Sequence, residues 1–244
     1  MARWTTQTFI DITLRYAVPV EELTDKKERK ARRIIDAATA LFLKHGYRKT
    51  SIDDVARDVG IGKGTVYLYF GTKADLLIHC ILAEKAGPAG MRMWHTMSAM
   101  TSPIELLRAL LQGSFDMMYE LPLTARIAGG DHELELVLSE LGGDTAQLMA
   151  STRIERLNAL LAPLSRVDDA SLSAITHGLA SLLEAVPEIT RQAQRLGMDR
   201  QVHSQAMTDI LLAGLLSTLG TDPSDVGVVD FNALFGIEPE VGDT

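Results

Sequence analysis

The stretch that decides the fold is SIDDVARDVGIGKGTVYLYFGTKADLL, residues 51–77. Its first part places four apolar side chains at helical spacing, on one face of a predicted helix: Ile52, Val55, Ala56 and Val59. Gly60 follows directly, and glycine readily adopts the left-handed backbone that ends a helix and begins a turn. Beyond the turn, Val66 and Phe70 lie one helical turn apart. The pattern predicts a helix-turn-helix at about residues 51–70.

The residues after the turn favour a nucleic-acid-binding surface over a plain pair of core helices. The second helix of a helix-turn-helix enters the major groove of DNA, so side-chain bulk in its first turn would hold it away. Gly62 and Gly64 lack that bulk. The exposed side carries polar side chains suited to base edges or phosphates: Lys63, Thr65, Tyr67 and Tyr69. Glycines in a turn alone would fit two packed core helices, but these polar side chains favour DNA.

The charge of the chain is divided unevenly. The 244 residues include 24 Lys or Arg and 32 Asp or Glu, for a formal net charge of −8. Residues 26–73 hold 12 of the basic residues but only 5 of the acidic ones. A basic segment on an acidic body predicts that one part of the chain meets a polyanion. The basic start of the first predicted helix is either a solvated face or a surface whose charge phosphates compensate.

Residues 26–77 resemble the DNA-binding domain of the TetR family of bacterial transcriptional regulators. The resemblance rests on RIIDAATALFLKHGYRKTSIDDVARDVGIGKGTVYLYFGTKADLL. It implies a set of DNA-contacting residues: Thr50, Ser51, Lys63, Gly64, Thr65, Tyr67, Tyr69 and Lys73. Gly62 stands where the family usually has serine, and Tyr69 stands where it often has histidine. Each departure would remove or alter a phosphate contact that the family makes at that position.

Helical signals continue through the rest of the chain, and none reads as a sheet. Ser102-Pro103-Ile104-Glu105 is a capping box that begins a helix to about residue 120. Further helices are predicted over about 144–161, from Asp168 or Asp169 to Ala185, over 200–219, and as a turn at 231–235. The predicted fold is all-α, an N-terminal helix-turn-helix DNA-binding domain followed by a larger helical ligand-binding and dimerisation domain. Four segments are predicted: a leader (1–24), the DNA-binding domain (25–85), the larger domain (86–220) and an acidic tail (221–244).

The resemblance implies that the larger domain dimerises and encloses a small-molecule pocket. Small residues in two late helices would let helices from two subunits approach closely. The interface residues expected are Gly178, Ser181, Leu182, Ala213 and Gly214. A helical hairpin within one chain would explain the same small residues. A helix-turn-helix that reads two half-sites through two-fold symmetry favours the homodimer.

A concentration of methionine and aromatic residues in the middle of the chain suits an apolar ligand. The residues expected to bind it are Trp94, Met97, Phe115, Met118, Tyr119 and His177. The same stripe also fits ordinary core packing. His95, His132 and His177 lack the spacing of a metal site, and no cofactor or metal is expected. The lone Cys80 is expected to be a packed core thiol.

These patterns predict a cytoplasmic transcriptional regulator with no catalytic residues. The chain shows no signal peptide or membrane span. We expect a repressor that binds a pseudo-palindromic operator as a homodimer and is released by a small apolar effector. The alternatives are an architectural DNA-binding protein without a ligand or a helical enzyme. The leader could be a strand or a helix, and packing fits it better than a minor-groove arm because it has few basic residues.

Overall fold

The computed structural model describes residues 16–17, 22–128, 137 and 143–235. Over these residues the secondary structure is helical and contains no strand, which confirms the all-α prediction. Most of the leader, the end of the tail and His132 lie outside the described residues. The helices are α1 (Lys26–His45), α2 (Ile52–Val59), α3 (Lys63–Tyr69), α4 (Lys73–Lys85), α5 (Pro88–Ser98), α6 (Pro103–Glu120), α7 (Pro122–Ala128), α8 (Gly143–Leu161), α9 (Asp169–Arg195), α10 (Arg200–Leu219) and α11 (Phe231–Phe235).

The chain divides into two compact units. The first unit comprises Met1–Met91 and Leu121–Leu148, and the second comprises Arg92–Glu120 and Met149–Thr244. The sequence predicted four segments, with the DNA-binding domain ending at residue 85. In the structure the chain returns after α6 to add α7 to the first unit, where α7 packs against α1 and α4.

Local capping explains where several helices begin and end. The Ser51 hydroxyl accepts a hydrogen bond from the Asp54 amide, and the Asp54 carboxylate accepts one from the Ser51 amide, so both halves of a capping box are present. Gly60 ends α2 in the left-handed region, at φ 74°. Asp168 and Asp199 cap α9 and α10 through their side chains. These signals are local, and each lies where the sequence predicted a helix boundary.

Helix α9 is longer than the sequence predicted. The expected end at Ala185 is wrong, since the helix continues to Arg195 with Pro187 inside it. Proline has no N–H to donate and its ring crowds the carbonyl four residues earlier, a cost of roughly 3 kcal/mol. Val186, Pro187 and the following turns bury side chains in the second unit, and this burial offsets the lost hydrogen bond.

The core of the first unit joins α1 to the helix-turn-helix. Ile34, Phe42 and Tyr47 are almost completely buried there, against apolar side chains of α2 to α4. Cys80 is also buried, as expected, and its thiol lies 3.6 Å from the carbonyl oxygen of Ile35. Truncating a buried phenylalanine to alanine typically costs about 3–5 kcal/mol. Phe42→Ala would therefore weaken the packing of α1 against the helix-turn-helix.

The core of the second unit is built mainly on α6, α9 and α10. It combines leucine packing with a polar layer between α6 and α10. The Ser204 hydroxyl donates to Asp116 at 2.8 Å, and the Gln112 amide donates to the same carboxylate at 3.3 Å. Because buried polar groups require partners, this layer fixes how α6 and α10 lie against one another.

Within the described residues, no single helix is long and apolar enough to cross a membrane. The bent pair α3 and α4, at 62° to one another, passes that test by length and composition only. The described residues also contain no group of three or more His, Cys, Asp or Glu side chains placed to hold a metal ion.

Candidate nucleic-acid interface

The turn between α2 and α3 is fixed by the backbone. The Ile61 amide donates to the Ala56 carbonyl at 2.9 Å, which closes the end of α2 behind Gly60. The Thr65 amide donates to the Gly62 carbonyl at 2.8 Å and begins α3. These two hydrogen bonds, one at the end of α2 and one at the start of α3, fix the backbone of the turn between the helices.

Helix α3 has one buried side and one exposed side. Val66 is fully buried and Phe70, just after the helix, is 2% exposed. Tyr67 is 45% exposed, whereas Tyr69 is half-buried and its ring lies 6.3 Å from that of Phe70. Lys63 and Gly64 are exposed and Thr65 is half-buried. Of the two tyrosines predicted to contact DNA, Tyr67 therefore presents the larger surface.

Neither the backbone conformation of Gly64 nor its packing against the described residues requires a glycine at this position. Its backbone does not belong to the left-handed region, and a Cβ atom built on it would meet nothing within 4 Å. Gly64 is the second residue of α3, so the backbone in the first turn of this helix is bare on its exposed side.

Lys63 is held by an acidic neighbour. Its ammonium group lies 2.8 Å from the carboxylate of Asp53 on α2, and both side chains are about half exposed. The hydrogen bond and the charge of Asp53 raise the pKa of Lys63. Since exposed ion pairs contribute little stability, this contact can be exchanged for a phosphate at small cost.

Thr50 and Lys73 have partners within the first unit. Thr50 is 2% exposed, and its hydroxyl donates to the carbonyl of Gly46 at 2.9 Å. The ammonium group of Lys73 donates to the carbonyls of Tyr47 and Thr50 at 3.0 and 3.3 Å, and lies 4.0 Å from the centre of the Tyr47 ring. Both side chains therefore stabilise the segment between α1 and α2, a role that the sequence did not predict.

The Ser51 hydroxyl is also occupied. It donates to the Asp54 carboxylate at 2.6 Å, and the hydrogen bonds from Ser51 lower the pKa of that carboxyl. Ser51 remains exposed, so its surface is available even though its hydroxyl serves the cap.

Basic side chains extend the exposed surface along the first turns of α1. Lys26, Lys27, Arg29 and Lys30 are exposed, and Asp25 caps the helix by accepting from the Lys27 amide at 2.8 Å. Arg33, one turn further on, donates to the carbonyl of Val59 at 3.1 Å and ties α1 to the end of α2. A cationic surface of this kind suits a phosphate backbone.

Residues 34–80 match the family model for bacterial regulatory proteins of the tetR family. The chain carries a TetR-family DNA-binding domain. The resemblance stated from the sequence is thereby confirmed, and this helix-turn-helix is a DNA-binding module rather than a catalytic one. Helix α3 is the second helix of this helix-turn-helix.

One curated relative is a fatty acid metabolism regulator protein from Bacillus subtilis, 30% identical over 112 residues. The match covers 46% of this chain and 52% of that relative, so the chain spans about half the relative's length. Two solved structures have the same fold. The fatty acid degradation regulator FadR from Bacillus halodurans gives a TM-score of 0.59 at 24% identity, covering 78% of this chain and 98% of that one. NalD is the secondary repressor of a multidrug efflux pump in Pseudomonas aeruginosa. It gives a TM-score of 0.58 at 19% sequence identity, and the match covers 77% of this chain and 96% of NalD.

The residues predicted to bind a ligand are only partly brought together. Phe115 is fully buried and its ring packs edge-on against His203, 5.8 Å between centroids. The Tyr119 hydroxyl is hydrogen-bonded to Nδ1 of the same histidine at 3.2 Å, and burial raises the pKa of Tyr119. Both predicted residues thus meet at His203, which the sequence analysis did not single out.

The other predicted ligand residues do not share this contact with His203. Met97 is buried in the leucine core, Met118 is half-buried, and Trp94 packs edge-on against Phe231. His177 is exposed on α9, where its Nδ1 donates to the carbonyl of Ser173 at 2.8 Å. His177 is therefore not the polar group beside Tyr119, a place that His203 occupies.

Two buried hydroxyl groups add to the polar character of this core. Thr190 on α9 and Thr208 on α10 are almost fully buried, and neither hydroxyl oxygen has a hydrogen-bond partner among the residues that the structure describes. Leaving a buried polar group unpaired costs about 1–3 kcal/mol. Threonine fits helical periodicity on either face, so the sequence carries no signal that separates these two from exposed threonines.

The residues predicted to form a dimer interface share one property, which is exposure in the single chain. They are Gly178, Ser181, Leu182, Ala213 and Gly214. Leu182 on α9 is 44% exposed. Ile210 on α10, one helical turn before Ala213 and Gly214, is 66% exposed. A Cβ atom at Gly178 or Gly214 would meet nothing within 4 Å. Among the described residues, Gly178 and Gly214 therefore do not serve close packing of one helix on another.

Proposed function

We propose that this protein is a transcriptional regulator that binds a pseudo-palindromic operator as a homodimer and represses transcription until a small apolar ligand releases it. The observation that carries the DNA-binding part is Gly64. Its bare backbone lies on the exposed side of α3, beside Lys63 and Tyr67, and nothing among the described residues accounts for it. Close approach of a DNA duplex does account for it.

The proposed DNA surface combines base-reading and phosphate-binding groups. On α3, Lys63, Thr65 and Tyr67 would lie against the groove, with Ser51 at the start of α2. The basic first turns of α1 would meet phosphates, which adds affinity without sequence preference. Thr50 and Lys73 would contribute by holding the segment before α2 in place, because their polar atoms already have partners within the chain.

Homodimerisation is supported by the exposed small residues of α9 and α10. Gly178 and Gly214 are helical, have ordinary backbone angles and face open space, so each lowers helix stability without benefit to the single chain. Packing of two helices from each of two subunits would use that space and cover Leu182 and Ile210. Two recognition helices would then face two half-sites of DNA.

The proposed ligand site lies in the second unit, around Phe115, Met118 and Tyr119. Phe115 and Met118 supply apolar surface, while Tyr119 and its partner His203 supply polar groups. This composition suits a mostly apolar molecule that is oriented by a few hydrogen bonds. The relative from Bacillus subtilis is named a fatty acid metabolism regulator, which supports an acyl compound as the effector.

Release follows from population shift. A ligand that binds one arrangement of the dimer more tightly shifts the equilibrium toward that arrangement. If the favoured arrangement places the recognition helices at the wrong separation, only one half-site is engaged and affinity falls. Ligand and operator would then each weaken the binding of the other by the same factor.

The test measures operator affinity for Gly64→Ala, a substitution at a position with room for the added Cβ atom. Operator duplexes are first selected from random-sequence DNA by binding to the wild-type protein, and affinity is then measured by gel shift. Gly64→Ala should keep or slightly raise the melting temperature, since alanine favours the helix, and should weaken operator binding by about ten-fold. Gly227→Ala is the control, because Gly227 is also exposed and open but lies in the second unit. Equal binding by both variants would contradict the proposed DNA surface.

Ligand response is tested separately. Fatty acids and their esters are added to the wild-type protein and to Phe115→Ala, and melting temperature and operator binding are both followed. Binding should raise the melting temperature of the wild type more than that of the variant, and should release DNA only from the wild type. A protein that binds the operator but is insensitive to all such compounds would be an architectural DNA binder.

A further inference from the structure

Leu68 is the most exposed apolar side chain on the recognition helix. It is 85% exposed, whereas Val66, two residues earlier, is fully buried. Two residues turn a helix by about 200°, so Leu68 points away from the core. Isolated exposed leucines are common on protein surfaces and need no explanation by themselves. Its neighbours on α3 make this one different.

The helix face that carries Leu68 is also the face left bare by Gly64. Residues four apart lie one above the other on a helix, so Gly64 lies directly beside Leu68, with Thr65 next to it. No Cβ atom at Gly64 would touch the protein, and the leucine therefore projects from an otherwise flat strip of backbone. A duplex that approaches Gly64 closely must meet the Leu68 side chain.

A leucine can recognise only one feature of the major groove. Its side chain has no hydrogen-bond donor or acceptor. It therefore cannot hydrogen-bond to the polar atoms that guanine, adenine and cytosine present in the major groove. Thymine presents a methyl group at C5, and apolar side chains read that methyl by contact. A polar base edge covered by leucine would lose water without gaining a partner.

We propose that Leu68 is a specificity-determining residue that packs against the C5-methyl group of a thymine in each operator half-site. The inference rests on the proposed function, since it takes α3 as the helix that enters the groove. It adds a definite chemical requirement, a pyrimidine 5-methyl group at one position of each half-site.

The experiment removes the methyl group from the DNA rather than from the protein. In the operator selected by the wild-type protein, each thymine is replaced singly by deoxyuridine, which pairs identically and lacks only the methyl. One position in each half-site should weaken wild-type binding by about four-fold, the expected loss for one buried methyl group. The same replacements should leave the affinity of Leu68→Ala unchanged, while Leu68→Met keeps the wild-type preference.

A second arm restores the methyl group on another base. Cytosine at the sensitive position should weaken wild-type binding, and 5-methylcytosine should recover part of that loss for the wild type but not for Leu68→Ala. The control Leu196→Ala changes another exposed leucine, 75% exposed in the second unit, and should behave like the wild type. Melting temperatures of all variants should agree, because both leucines are exposed.

The possible failures are distinguishable. If the wild-type protein selects no duplex, the proposed function fails. If an operator is selected but no uridine position separates the wild type from Leu68→Ala, the thymine contact is overturned while the regulator stands.

Discussion

The carboxylate of Glu84 accepts hydrogen bonds from both the backbone amide and the side-chain hydroxyl of Thr124, each at 2.7 Å. Its other oxygen accepts from the amide of Leu123 at 2.8 Å. A side chain of α4 thus caps α7, a helix that follows it by about forty residues in sequence. Arg126 adds a second tie, donating to the carbonyl of Leu43 at the end of α1 at 2.6 Å. Together these hydrogen bonds hold α7 against α1 and α4 in the first unit.

Glu84→Gln should lower the free energy of unfolding by about 1–3 kcal/mol, because the neutral amide cannot replace a charged acceptor of three hydrogen bonds. Thermal and urea unfolding followed by circular dichroism measure the loss. Glu188→Gln is the control, since it makes the same change in an exposed ion pair with Arg191 and should cost no more than about 0.5 kcal/mol. Equal effects of the two substitutions would show that the cap on α7 is not a stabilising contact.

Asp53→Asn should strengthen operator binding by a few-fold. Asp53 holds Lys63 at 2.8 Å, and its removal both frees the ammonium group and takes a negative charge from the proposed DNA surface. Lys63→Ala should weaken binding by about 1–3 kcal/mol with a shallower salt dependence, and Lys85→Ala, on α4, is the matched control. In the Lys63→Ala background the gain from Asp53→Asn should shrink. A full gain there would mean that Asp53 acts by general repulsion of DNA and not through Lys63.

Cys80 should be inert in the folded protein and reactive in the unfolded chain. It is 1% exposed, and burial raises the pKa of its thiol from 9.0 to about 12, so the nucleophilic thiolate is scarce at pH 8. Labelling with a disulfide reagent, with and without urea, measures the difference in rate. The chain has one cysteine, so the signal belongs to this thiol alone. Rapid labelling of the native protein would contradict the burial.

The same thiol predicts a pH dependence of stability. Its folded pKa lies above its unfolded value, so the contribution is complete below pH 9 and is lost as pH rises from 9 toward 12. The difference in unfolding free energy between the wild type and Cys80→Ala should therefore narrow over that range. Other groups titrate in both proteins, and the comparison removes their effect.

The elements predictable from sequence were those specified by local signals. Ser51 and Asp54 form a capping box over four residues, and Gly60 requires only its own backbone, so the helix-turn-helix could be predicted from a short window. Helix α9 passes through Pro187 because burial in the second unit outweighs a local breaker. The sequence around Pro187 does not show whether its neighbours will be buried by distant helices, so this helix could not be predicted in full.

Among the candidate functional residues, those specified by a local motif were also predictable, whereas those that depend on tertiary packing were not. Gly64 and Lys63 were predicted by a motif that is contiguous in sequence, and the structure places both on the exposed side of α3. The partner of Tyr119 depends instead on which late helix faces α6. Both α9 and α10 carry a histidine, and periodicity alone could not distinguish the exposed His177 from the buried His203.

Gly178→Glu should abolish dimerisation and operator binding while leaving the single chain folded. A Cβ atom at this exposed position meets nothing within 4 Å, so we expect the fold to tolerate a side chain here, and the helix gains a better helix former. In a dimer packed through α9 and α10, however, two glutamates would enter an apolar interface close to one another, and burying unpaired charge there is strongly unfavourable. Light scattering should report a monomer of about half the wild-type mass.

The control for that variant is Gln192→Glu, an exposed position nearer the end of α9 that adds the same charge. It should remain dimeric and bind the operator as the wild type does. Helical content by circular dichroism should be unchanged in both variants. A Gly178→Glu protein that stays dimeric and still binds the operator would place the interface elsewhere, and Gly178 would then lack any role that explains its cost to the helix.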